Sequence, residues 1–209
     1  GQKAAILTLA DSISWLLNIR GHDIPRNPVV HALAILRDDG QLRLFVDDRK
    51  LDADLRKHLG PEISVEPPDA FAAALDSLEG PVRVDRASAP KAVSDRLAAA
   101  GVEIVWAPDP CILPKARKNP AEIAGTAEAH LRDGAAMCAF LAWLDAEAPK
   151  GTLTEIAVVS ALEGFRRATN ALRDISFDTI CGAGPNGAIV HYRVTEGLSL
   201  IHISEPTRP

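Results

Sequence analysis

One histidine in this chain is placed where it could do chemistry. His191 lies within Ala188 to Val194, an apolar, β-branched run that follows the glycine-broken stretch Gly182-Ala183-Gly184-Pro185-Asn186-Gly187. An imidazole donates, accepts or exchanges a proton near neutral pH, so such a residue suits hydrogen bonding to a reacting carbonyl or carriage of a proton. Upstream, Phe177 to Ile180 favours β structure. The three pieces predict a strand, a tight connection and a returning strand. The glycine stretch does not lead into a helix and carries no P-loop lysine, so a phosphate cradle is disfavoured.

Other chemistry-bearing residues have blander readings. Cys111, Cys138 and Cys181 are odd in number, widely spaced and set in apolar surroundings with no CxxC pair; this predicts ordinary core thiols in a reducing compartment. His130 precedes Cys138 by eight residues, too far to share a helical turn as zinc ligands. His22 and Asp23 fall in the turn-like Gly21 to Pro25 and predict loop polar groups, a contribution to a neighbouring subunit's site being the alternative. Trp15 is expected to anchor packing, and Asp47-Asp48-Arg49-Lys50 to be a solvated turn.

The elements that must position these residues belong to a chain of 209 residues, 47% hydrophobic and 24% charged, with a formal net charge of -5. That composition supports one large or two modest globular domains. A mildly acidic balance without basic runs excludes nucleic acid as the main partner. No segment approaches the roughly 20 apolar residues that span a bilayer, and the first residues lack the charged region and cleavage site of a secretory signal. A cytoplasmic location is therefore expected, and the absence of an initiator methionine suggests that Gly1 is internal.

In the first half, strand and helix signals alternate. Val29 to Leu36 and Gln41 to Val46, around Asp38-Asp39-Gly40, predict a β-hairpin. A short helix is expected over Asp52 to Leu59, stopped by Gly60-Pro61, then a strand at Glu62 to Val65. Asp69 should cap a helix running through Phe71, Leu75 and Leu78 to Gly80. The unit repeats as a strand at Pro81 to Val84, a helix at Pro90 to Ala100 and a strand at Val102 to Trp106. A small mixed sheet flanked by helices follows, of α/β (α+β) class.

Proline and basic residues crowd Ala107 to Asn119, as a domain connection would. Asn119-Pro120-Ala121-Glu122 supplies a cap, a first-turn proline and a third-position carboxylate for a long helix. Its apolar stripe is Ile123, Ala127, Leu131, Cys138, Leu141 and Leu144, and Pro149-Lys150-Gly151 ends it. A second, antiparallel helix is expected to carry a capping box in Thr152 and Glu155, with Ile156, Val159, Leu162 and Phe165 facing inward.

Several motifs, in order, resemble the Xaa-Pro aminopeptidase (aminopeptidase P) family. Gly184-Pro185-Asn186-Gly187-Ala188-Ile189-Val190-His191-Tyr192 resembles the entry into its catalytic domain. The run from Asp11 to Pro25, with Asn27-Pro28-Val29, resembles the start of the preceding domain. Lys115-Ala116-Arg117-Lys118-Asn119 with Glu122 resembles the junction, and Phe140 to Leu144 with Pro149-Lys150-Gly151 and Thr154-Glu155 the first catalytic-domain helices. The resemblance implies a creatinase-N-like domain over residues 1–114, the beginning of a "pita-bread" catalytic domain over 115–196, and a three-domain parent with another module upstream.

In that family two divalent metals, commonly manganese, activate a water that cleaves the bond between an amino-terminal residue and a following proline. The implied partner of the full-length parent is thus a peptide with proline in second place. By resemblance His191 is the catalytic residue, bonding substrate or intermediate or shuttling a proton. The family's metal ligands, two aspartates, a histidine and two glutamates, lie downstream of the matching His-Tyr, and no aspartate follows His191. The chain is therefore expected to bind no metal and to be inactive by itself. Residues 197–209 depart from the family pattern and resemble a translated sequencing adapter, so a non-native tail is expected, leaving His202 without a functional partner. The alternatives are a non-catalytic pita-bread or creatinase-like binding module, and a prolidase or creatinase relative. With its sheet missing, the second domain should expose apolar surface and dimerise or aggregate through the long-helix face.

Overall fold

The computed structural model describes residues 1–194. The chain divides into two compact units, Gly1–Lys118 and Asn119–Pro209, and the expected non-native tail over residues 197–209, with His202, lies outside the described residues.

The first unit is built on β1 (Ala4–Leu7), α1 (Ala10–Leu16), β2 (Leu33–Arg37), β3 (Leu42–Phe45), α2 (Ala53–Leu59), β4 (Ile63–Glu66), α3 (Ala70–Asp76), β5 (Val82–Val84), α4 (Lys91–Ala99), β6 (Ile104–Trp106) and α5 (Ile112–Ala116). Its strands form one mixed six-stranded sheet in the order β4-β3-β2-β1-β5-β6. The expected hairpin is present: β2 and β3 pair antiparallel with Leu36 opposite Leu42. Gly40 turns it at a φ of 86° that a side chain would resist. The pairs β3–β4, β1–β5 and β5–β6 are parallel, each of the first and last bridged by one helix.

Sequence periodicity does not single out β1, yet it lies inside the sheet between β2 and β5. All four of its residues are buried, and a strand covered on both faces reads as an unbroken apolar run without alternation. Alternate residues divide between two cores. Ala4, Ile6, Ile35, Phe45, Val82 and Val84 pack with Phe71, Leu75, Val93 and Leu97 of α3 and α4. On the opposite face, Leu7, Ala34, Leu42 and Leu44 pack with Ile13 of α1 and Leu59 of α2. Trp15 packs against this second cluster, as anchored. Asp69 precedes α3, but its side chain makes no capping bond because its own backbone is already helical (φ -69°, ψ -22°). That helix stops at Asp76, and Leu78 is buried beyond its end.

The second unit is led by α6 (Pro120–Glu147) and α7 (Glu155–Ala168). Asn119 and Glu122 form the expected reciprocal capping box. Of the expected apolar stripe of α6, only Leu144 packs in the cluster with α7. Ile123, Leu131 and Leu141 are exposed, as is Cys138. Phe140, Met137, Trp143 and Leu144 instead meet Val158, Leu162 and Phe165 of α7. At about 100° per residue the exposed and the covered apolar residues are centred roughly 125° apart, so α6 is apolar on two faces and α7 occupies only one. The cap of α7 is also displaced: Thr154 accepts the bond from Ala157 N, and Glu155 is already inside the helix.

No strand forms over residues 171–194. Phe177, Ile180, Ile189 and Val190 are exposed, and Gly184–Ala188 makes a short 3-10 turn. A β-branched run becomes a strand only when another strand satisfies its backbone, and no described strand lies beside it.

Candidate functional site

The GPNG stretch folds back on itself. A Cβ on Gly182 would lie 2.8 Å from Asn186 O, and Gly184 has φ 53°, so glycine is required for close approach at one position and for left-handed backbone at the other. Two further turns carry the chain on, Ile189 N donating to Asn186 O (3.1 Å) and Tyr192 N to Ile189 O (3.3 Å). His191 is the third residue of the last turn, exposed, with φ 54°. A non-glycine residue in this left-handed region costs about 1–2 kcal/mol, which the neighbouring residues must offset.

Tyr192 is the next residue. Its ring is buried and its hydroxyl donates to Glu155 Oε2 at 2.5 Å. Glu155 is 1% exposed, and its Oε1 accepts from Ala183 N (2.8 Å) and Asn186 Nδ2 (3.1 Å). Asn186 Nδ2 also lies 3.1 Å from the Tyr192 hydroxyl. Burial opposes the Glu155 charge, but the bonds from Tyr192, Ala183 and Asn186 outweigh it and hold the carboxyl below its ordinary range. Its seat in the first turn of α7 favours the anion as well. The bond to Glu155, followed by burial, pushes the Tyr192 phenol up to about 12. Sequence reasoning assigned Glu155 to a helix cap and missed this role; the signal was Thr154, which caps the helix and leaves the next carboxylate free.

The expected metal chemistry is tested by the donor set. Among the described residues no group of three His, Cys, Asp or Glu side chains is placed to hold a metal ion. His130 bonds the Thr126 carbonyl within its own helix (2.8 Å). Cys111 is buried, and desolvation with the nearby Asp109 pushes its thiol up to about 12, too high for a nucleophile at neutral pH. Burial, then the Glu155 charge, also raise the Cys181 thiol. Cys138 departs from the expectation of a core thiol by being exposed, because it sits on the uncovered stripe of α6.

In the first unit a cavity of about 300 Å³ has aliphatic walls that include Ile19, Val30, Leu44 and Leu59, and a rim of Arg20, His22, Asp23 and Lys50. Asp23 Oδ2 accepts from Lys50 Nζ and from His31 N, both at 2.7 Å, and these bonds lower its pKa, Lys50 first. Asp23 thus acts as the loop polar group expected. Gly21 is required beside it, since a Cβ there would lie 2.6 Å from Val29 O. Asp47 accepts from Arg49 N (3.0 Å) and pairs with the Arg49 guanidinium, closing an exposed turn.

Comparison with known proteins brings these features together. Residues 1–122 match the creatinase/prolidase N-terminal domain, and residues 124–203 match metallopeptidase family M24. The chain is 38% identical over 199 residues to a probable Xaa-Pro aminopeptidase P of Laccaria bicolor, covering 91% of this chain and 30% of that protein. To aminopeptidase P2 of Arabidopsis thaliana it is 34% identical over 225 residues, covering 92% and 32%. Among solved structures it resembles the X-prolyl aminopeptidase of Caenorhabditis elegans, a cytosolic enzyme with a di-nuclear active site, with a TM-score of 0.83 and 29% identity over 94% of this chain and 33% of that one. The chain thus spans about a third of the length of these relatives. A mixed α/β fold, two consecutive family matches and relatives that are Xaa-Pro aminopeptidases agree: the chain belongs to the creatinase/prolidase family, its N-terminal domain leading into metallopeptidase family M24.

Proposed function

We propose that this chain is part of a metal-dependent Xaa-Pro aminopeptidase, which removes an amino-terminal residue that precedes proline. The observation that carries the proposal is the likeness, in sequence order and in fold, to an X-prolyl aminopeptidase across 94% of the chain. The peptide partner is one with proline in second place. Two divalent metals, with manganese as the metal, would supply a hydroxide nucleophile and polarise the scissile carbonyl. The 209 residues carry no aspartate after His191, so the metal ligands are assigned to a longer form of the protein and the chain alone is inactive. His191, at an exposed turn, would donate a hydrogen bond to the substrate carbonyl or its tetrahedral product, or carry a proton to the leaving nitrogen. A cytoplasmic location fits the relative described as cytosolic.

The test is hydrolysis, with manganese present, by this chain and by a form extended through the downstream ligands. The extended form should release the first residue from Xaa-Pro tripeptides and longer peptides, this chain should not, and His191→Ala in the extended form should lower kcat by about a hundredfold or more. Cleavage confined to Xaa-Pro dipeptides would instead identify a prolidase, and an extended form that binds peptide without cleaving it a binding module.

A further inference from the structure

We infer that Glu155 is a positioning residue that sets the backbone conformation of His191 through Tyr192. The inference deepens the proposed reaction and rests on that reading for its functional meaning, but its geometry stands alone. One carboxylate, fixed at the start of a 14-residue helix, receives three donors from a single loop: Ala183 N at its entry, Asn186 Nδ2 in its middle and Tyr192 OH at its end. These positions bracket the turns that deliver His191. Glu155 and Tyr192 are both buried, while His191 is exposed. The reactive side chain is therefore free to meet a substrate while the residue after it is held.

The bonds explain two otherwise separate oddities. A carboxylate that is 1% exposed and bonded only by neutral groups in this loop needs several donors to remain charged; the loop supplies them. His191 holds a left-handed backbone (φ 54°) without being glycine, and such a residue persists only where its surroundings hold it. With Tyr192 hydrogen-bonded at its hydroxyl and closing the turn through its amide to Ile189 O, the chain between them has little freedom. The Cys181 thiol feels the Glu155 charge, and the Tyr192 phenol feels Cys181. Its contact with the same helix pair places the loop entry against the small core of this unit.

Tyr192 is the one tyrosine of the chain, so its ionisation can be followed directly by ultraviolet absorbance. In the 209-residue chain, Glu155→Gln keeps the size and an acceptor while removing the charge. The tyrosinate midpoint should fall from about 12 toward the free value of about 10, and the His191 Cα and Hα shifts should keep their left-handed signature. Glu155→Ala should move those shifts to random-coil values and speed amide exchange over 183–192 by at least about tenfold. If Glu155→Ala does not fold, Tyr192→Phe, which removes only the last bond of the clamp, should show the same changes at His191 in smaller measure. Unchanged His191 shifts in folded Glu155→Ala or in Tyr192→Phe, or an unchanged tyrosine midpoint in Glu155→Gln, would overturn the inference. None of these readouts uses peptide cleavage, so failure of the aminopeptidase assignment would leave them unaffected.

Discussion

At the scale of single residues, burial decides which ionic contacts carry energy. Arg43 and Glu66 meet in a two-pronged pair (2.6 and 2.7 Å) across β3 and β4, both half-buried, with the guanidinium 5.3 Å from the centre of the Phe45 ring. Many other ion pairs, such as Lys91–Asp95, are solvent-exposed and should contribute little. Glu66→Gln is expected to lower the urea stability of the first unit by about 1 kcal/mol, against no measurable loss for Asp95→Asn. The Arg43 bond holds the Glu66 pKa below its usual value, so this contribution is present above the unfolded-state pKa and is lost as pH falls through the folded one. The same sign applies to Glu155. Protection against hydrogen exchange over residues 183–192, relative to the intrinsic rate at each pH, should fall on acidification below the ordinary carboxylate range, and Glu155→Gln should flatten that dependence. Glu155 shows where one-dimensional reasoning stops. Thr154-Glu155 signals a helix start, but the donors that occupy its carboxylate lie 28 to 37 residues away along the chain.

At the scale of elements, local chemistry was readable wherever a segment could satisfy itself. The Asn119–Glu122 box and the Gly40 hairpin turn use donors and acceptors within three residues of one another and appear as expected, while Asp52, expected inside α2, caps it instead. Asn119→Ala should remove both halves of the box. It is expected to cost about 1 kcal/mol and to fray the first turn of α6, measurable as faster amide exchange at residues 121–124. Elements that depend on remote partners were less legible. β1 was overlooked because it is apolar on both faces, and Phe177 to Ile180 with Ala188 to Val194 was overcalled as a strand pair. The apolar stripe on α6 is legible as a stripe, but which of its residues α7 covers is not, since periodicity identifies an apolar face without naming what covers it.

At the scale of the whole molecule, the two units differ in closure. The first has a sheet with an apolar core on each face, so residues 1–118 expressed alone are expected to unfold in a single cooperative transition with a native-like near-ultraviolet spectrum. A broad, probe-dependent melt would contradict this. In the second, one small cluster joins α6 and α7, while Ile123, Leu131 and Leu141 remain 49–72% exposed along one face of α6. Apolar surface of that extent favours association. The 209-residue chain should therefore sediment with a concentration-dependent mass and bind a hydrophobic dye, and Leu131→Glu should weaken both; a monodisperse wild-type monomer that binds no dye would refute this. The alternation of strands and helices in the first unit, the Asn119–Glu122 box and the family were legible in the sequence, which also singles out His191, because these rest on local backbone chemistry or on residue order. That β1 lies inside the sheet, that α7 covers Phe140 rather than Leu131, and that a buried glutamate bonds the histidine's loop emerge from the folded chain alone, because each depends on which distant groups meet to exclude water and satisfy one another's hydrogen bonds.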